Sequence, residues 1–116
     1  MKTRLGATLR SVRDDGLGLS AGHELLADPW SFLILQAALQ DIVTFEALIR
    51  RLGMARNVLA ARLRLLVDNG VMRRVPDPER EDRFRYVLTD AGRDFEAVLA
   101  LAQAWSDRHF GPPSQA

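Results

Sequence analysis

Residues 44–70, TFEALIRRLGMARNVLAARLRLLVDNG, constrain this chain more than any other stretch, because they hold two striped helical segments on either side of a short Leu-Gly-Met turn. In the first segment Phe45, Leu48, Ile49 and Leu52 recur at i, i+3, i+4 and i+7, the spacing of one helix face. Thr44 stands where a capping hydroxyl belongs, and Gly53 is a stop. The second segment, 55–69, places Leu59, Leu63 and Leu66 along one stripe and ends on Asn69-Gly70. Two such helices around so tight a turn read as a helix-turn-helix.

The charge on this stretch gives the pair a direction. From Phe45 to Val75 seven arginines (50, 51, 56, 62, 64, 73 and 74) meet only Glu46 and Asp68, a net of +5, whereas residues 90–116 carry a net of −2. The whole chain is only +1, so the positive field is local. At about 100° per residue, Asn57, Ala60, Ala61, Arg64 and Asp68 lie opposite the buried stripe, and Arg56 and Arg62 flank it. A small, polar, cationic helix face is what a DNA major groove admits. Arginine pairs with guanine O6/N7 and asparagine with adenine N6/N7 there. Arg56, Asn57 and Arg64 are therefore candidate base contacts, and Ala60 and Ala61 permit close approach. Thr44, Arg50, Arg51 and Arg62 are candidate contacts to the DNA backbone. For Arg62, at the edge of the stripe, a pair within the protein is an equal alternative.

Residues 71–75 and 83–88 are β-rich runs joined by PDPEREDR, and they predict a hairpin with a charged tip. Strand alternation puts Phe84, Tyr86 and Leu88 toward the core. Arg80, Arg83 and Arg85 are the wing candidates for DNA contact, although Asp77, Glu79, Glu81 and Asp82 crowd the same tip. Upstream, Asp28-Pro29 reads as a cap and a first-turn proline for WSFLILQAAL, which is apolar nearly all round and so belongs at the centre of the fold. Ser20 to Ala27 predicts a short helix before it.

Thr89-Asp90-Ala91-Gly92 caps a last helix running to about Asp107, whose apolar positions exceed one face. Phe95, Val98, Leu99, Ala102 and Trp105 are accordingly expected at a dimer interface. Leu5, Leu9 and Val12, at helical spacing in residues 1–16, are expected to join it as an N-terminal arm. Three segments result: the arm at 1–16, a DNA-binding domain at 17–109 and a flexible tail at 110–116.

Composition excludes several classes. With no cysteine the chain has no disulfide, thiolate metal site or thiol switch. His23 and His109 lack the spacing of a metal site, and GLGLSAG (16–22) has neither the preceding strand nor the following Lys-Ser/Thr of a phosphate loop. No nucleophile, base and carboxylate form a catalytic set, so neither enzyme activity nor a cofactor is expected. No apolar run reaches 18 residues, which predicts no membrane span and a cytoplasmic location.

The elements in order resemble the HxlR-type winged helix-turn-helix transcriptional regulators, relatives of the MarR group. The resemblance runs from about Leu17 to His109. It is carried by Asp28-Pro29-Trp30 with the run 33–39, Phe45-Glu46-Ala47-Leu48, the run 57–63, Asp68-Asn69-Gly70-Val71, the run 86–92, and Trp105-Ser106-Asp107-Arg108-His109. It implies a mainly α (α+β) fold of about five helices plus a two-stranded wing. It also implies a homodimer on a near-palindromic operator in double-stranded DNA, and leaves a small-molecule effector open. Departures exist. Leu17 stands near the family's usual cysteine, Gln36 and Thr44 replace frequent arginines, and Ala55 replaces a capping serine or threonine. With the acidic wing tip these departures motivate a second reading, a winged-helix protein-interaction module with little DNA affinity.

Overall fold

The computed structural model describes Leu25 and residues 28–112. Leu5, Leu9 and Val12 and most of the helix expected at 20–27 lie outside the described residues.

Helix α1 (Pro29–Leu39) begins where Asp28 accepts the Trp30 N–H at 3.2 Å, with proline in its first turn. Its run of apolar residues is used on several sides. Ile34, Leu35, Ala37 and Ala38 are buried, and α1 touches both other helices of the core, the sheet and the last helix. Ser31 is buried as well, and its hydroxyl is satisfied by donating to Asp28 Oδ2 at 3.0 Å.

Thr44 then caps α2 (Phe45–Leu52) by accepting the Ala47 N–H, and Gly53 closes it in the left-handed region (φ 65°), its N–H bonded to the Ile49 carbonyl. Met54 fills the turn as a buried side chain. Helix α3 (Arg56–Asp68) starts at Ala55, which offers no side-chain cap, so packing of Leu59, Leu63 and Leu66 into the core must hold its first turn.

The hairpin is longer and its turn tighter than the sequence suggested. β1 (Met72–Asp77) pairs antiparallel with β2 (Arg80–Leu88) from Met72↔Leu88 to Asp77↔Arg80, with a slip in register between Pro76 and Asp77. Only Pro78-Glu79 remain for the turn. The cause is Asp77, whose buried carboxylate accepts the Glu79 N–H at 2.9 Å and pins the reversal there. On the far side of β2, the Tyr86 N–H donates to the Val43 carbonyl at 2.7 Å and Thr44 bridges Arg85. That extra pairing fastens the wing to the root of α2. Leu88 is buried and Tyr86 half-buried as alternation predicted, but Phe84 lies beyond the core's edge and is 40% exposed.

The final helix is interrupted near its start. Thr89 accepts the Gly92 N–H and caps a single turn, α4 (Asp90–Arg93), after which the chain bends at Asp94 into α5 (Phe95–Phe110). Phe95, the first residue of α5, packs inward. Its ring meets Phe32 edge-on at 5.2 Å and 81°, and it is 7% exposed. Phe95 is thus a core residue, which corrects its assignment to an interface between subunits. α5 continues three residues past the expected end, because nothing breaks it before Gly111 (φ 83°).

Candidate nucleic-acid interface

With one face of α3 sealed by Leu59, Leu63 and Leu66, the opposite face is left to solvent. Arg56, Asn57, Ala60, Ala61 and Arg64 are all exposed. Asn57 and Arg64 flank the two alanines, so polar reach stands on both sides of a low patch of helix. Arg64 pairs with no carboxylate among the described residues, and its guanidinium keeps both hydrogen-bonding edges.

The other arginines differ sharply from one another. Arg56 is held by Glu46 of α2, both carboxylate oxygens taking Nη groups, and lies 5.3 Å from the Phe45 ring centroid. The Arg56 hydrogen bond draws the Glu46 carboxyl below its ordinary pKa, and Glu46 raises that of Arg56 in return. Arg62, 24% exposed, contacts Asp28 Oδ2 at 2.5 Å through Nε. Nε makes no aligned hydrogen bond there, so the contact is an ion pair. It is the protein-internal pair that was one of the two roles expected for Arg62. Arg50 and Arg51 are exposed at the end of α2, Arg51 donating to Gln40. Thr44 spends its oxygen on the helix cap and keeps its O–H proton as a donor.

The wing arginines are engaged within their own hairpin. Arg80 binds Asp82 at 2.9 Å, while Arg83 and Arg85 converge on Asp77 at 2.5 and 3.6 Å. Arg73 and Arg74 of β1, which sequence reasoning counted but gave no role, are exposed instead. Arg74 stacks on Phe84 at 3.7 Å from the ring centroid, a favourable cation–π arrangement. The adjacent pair of arginines in a strand leaving α3 was the available signal. Between the wing and α2 runs a shallow groove of about 360 Å³ lined by Phe45, Glu46, Arg80, Asp82, Arg83, Phe84 and Tyr86.

Asp77 gives the wing a pH signature. The Glu79 N–H, and then the Arg83 and Arg85 charges, hold its carboxyl below the ordinary aspartate value of 3.8. A depressed carboxylate stabilises the fold above its unfolded pKa and loses that contribution as pH falls through the folded one. Amide exchange across β1 and β2 is therefore expected to show no effect of Asp77 titration at neutral pH and a loss of protection only below about pH 4. Asp77→Asn should abolish that acid-side step.

On α5 the apolar residues divide. Leu99 and Ala102 are half-buried, Leu99 against the core, whereas Val98 (39%), Leu101 (74%), Trp105 (56%) and Phe110 (75%) face outward. Trp105 meets the rings of His109 and Phe110 on its own helix, each at 5.5 Å. Among the described residues no helix is long and apolar enough to cross a membrane.

Comparison with known proteins agrees with this architecture. The family model described as HxlR-like helix-turn-helix matches residues 25–114. The chain is similar to the HTH-type transcriptional regulator Rv3095 of Mycobacterium tuberculosis, 37% identical over 107 residues, spanning 89% of this chain and 68% of the relative. It is 28% identical over 95 residues to the HTH-type transcriptional regulator YodB of Bacillus subtilis, spanning 81% of this chain and 85% of YodB. Among solved structures it superposes on PA1607, described as a transcription factor, with a TM-score of 0.77 and 34% identity over 91% of this chain and 74% of that one. The sequence pattern, the winged fold and these relatives coincide: the chain belongs to the HxlR-like helix-turn-helix family of transcriptional regulators.

Proposed function

We propose that the protein acts in the cytoplasm as a homodimer on a near-palindromic operator, each α3 entering a major groove. The observation that carries this reading is the exposed Asn57-Ala60-Ala61-Arg64 face of α3, polar at its ends and low in its middle. Two-fold symmetry then sets the half-sites about 34 Å apart, one helical turn. Arg50, Arg51, Arg73 and Arg74 supply phosphate contacts around that face, and the wing tip, whose arginines are engaged, supplies few.

Selection of bound DNA from a random pool tests the reading. It should return paired half-sites bound with Kd of about 10⁻⁸ to 10⁻¹¹ M at physiological salt. Uniform binding at about 10⁻⁴ to 10⁻⁶ M on every sequence would refute it. Such a result, with a protein recovered on the wing in place of DNA, would support the interaction-module reading that the paired wing arginines favour. Within the DNA reading, Arg64→Ala should cost about 1 to 3 kcal/mol of discrimination at one base position. An equal loss on all sequences would make Arg64 a phosphate contact instead.

A further inference from the structure

Glu46 and Arg56 stand ten residues apart, one in the first turn of α2 and the other in the first turn of α3. Glu46 Oε1 accepts from Arg56 Nη1 at 3.3 Å and Oε2 accepts from Nη2, while the Phe45 ring lies beside the same guanidinium. The two side chains are 53% and 63% exposed. A pair so wet adds little to fold stability. Its effect is on what Arg56 can touch.

A guanidinium has five N–H groups, and a carboxylate that takes the Nη1/Nη2 edge leaves the edge formed by Nε and one Nη. No acceptor occupies Arg56 Nε among the described residues. Guanine O6 and N7 present a matching acceptor pair in the major groove. A free arginine at this place would instead take any phosphate it reached, since that attraction carries no sequence information. With Glu46 beside it, Arg56 has no net charge to offer a phosphate, and Glu46 itself repels one. What remains is a directional donor pair, biased toward one orientation by Glu46.

We infer that Glu46 is a specificity-determining residue: it neutralises and orients Arg56 so that the open guanidinium edge reads one guanine and is withheld from phosphates. The inference rests on α3 being the groove-entering helix and adds a second residue, outside that helix, to the reading of sequence. Glu46 acts through Arg56 and is a positioning residue.

The test uses the full chain on its selected operator, on operators substituted at each position, and on non-specific duplex across a salt series. Glu46→Gln removes the charge and keeps the shape. Preference for guanine at one position should fall about tenfold. On non-specific DNA the slope of log K against log salt should steepen by about 0.9, as Arg56 becomes free to bind a phosphate. Arg56→Lys keeps the charge without a bidentate edge and should lose the same guanine preference. Adding Glu46→Gln to it should cost no further discrimination. Thermal melting at the parent temperature certifies that both variants are folded. The inference is overturned if Glu46→Gln leaves both preference and slope unchanged, or if Arg56→Lys keeps the guanine preference. If the parent chain shows no base preference at any position, the groove-entering assignment of α3 falls as well.

Discussion

A chain carrying Leu101→Asp and Trp105→Ala is expected to sediment as a monomer and to lose about 10²- to 10⁴-fold in affinity for a two-half-site operator. The argument starts from α5, sixteen residues long, in which Phe95 is the one buried side chain. Val98, Leu101, Trp105 and Phe110 together form an apolar flank that a lone chain leaves in water. Covering it gains roughly 25 cal/mol per Å² of apolar surface, and a charge at Leu101 or the loss of the Trp105 ring removes two of its large exposed side chains. In the proposed dimer the loss in DNA binding follows from the second subunit, whose contact becomes intramolecular once the first is bound. A single half-site should bind the variant as it binds the parent, which separates a folded monomer from an unfolded chain. Persistence of the dimer in ultracentrifugation would place the interface elsewhere.

The second large effect concerns a glycine whose backbone is ordinary but whose surroundings are not. A Cβ at Gly92 would lie 2.3 Å from the Val71 carbonyl oxygen and 2.8 Å from Leu88 Cδ2. The carbonyl has no freedom to retreat. It accepts the Thr89 N–H at 3.1 Å, and it shares the single Thr89 hydroxyl proton (3.0 Å) with the nearer Gly70 carbonyl (2.6 Å), while that same hydroxyl oxygen caps α4. Gly92→Ala should therefore cost about 1 to 3 kcal/mol, shifting the urea midpoint with little change in slope. For a domain of this size each kcal/mol lowers Tm by about 4 to 8 °C. Gly70→Ala is the control, since no atom lies within 4 Å of its Cβ and only its left-handed φ of 74° is penalised. Equal effects at the two positions would show that crowding at Gly92 is relieved by movement of α4.

What was legible in the sequence was whatever repeats along one element. The stripe of Leu59, Leu63 and Leu66 fixed which side of α3 is exposed, and the all-round apolarity of residues 30–39 placed α1 at the centre. Contacts between elements were not legible. Glu46 and Arg56 meet only because the Leu-Gly-Met turn folds α3 back on α2, and Arg62 reaches Asp28 across 34 positions of sequence. The wing shows the same limit, because Arg83 and Arg85 looked available until the tight reversal at Asp77 set a buried carboxylate beneath them. Phe95 was misassigned because a stripe shows that a residue is covered and not what covers it. Phe95 is covered by Phe32 of its own chain, whereas Leu101 and Trp105 stay outside.

The contact between Asp28 and Arg62 has a mechanical meaning. Asp28 terminates α1 by binding the Trp30 N–H and the Ser31 hydroxyl, and the same carboxylate holds the flank of α3. A roll of α3 about its own axis would therefore break its contact with the start of α1. In the proposed complex such a roll would swing Arg64 and Asn57 off the base edges they face while leaving the helix in its groove. A single aspartate, at the flank of α3 away from its exposed Arg64 face, acts as the stop against it.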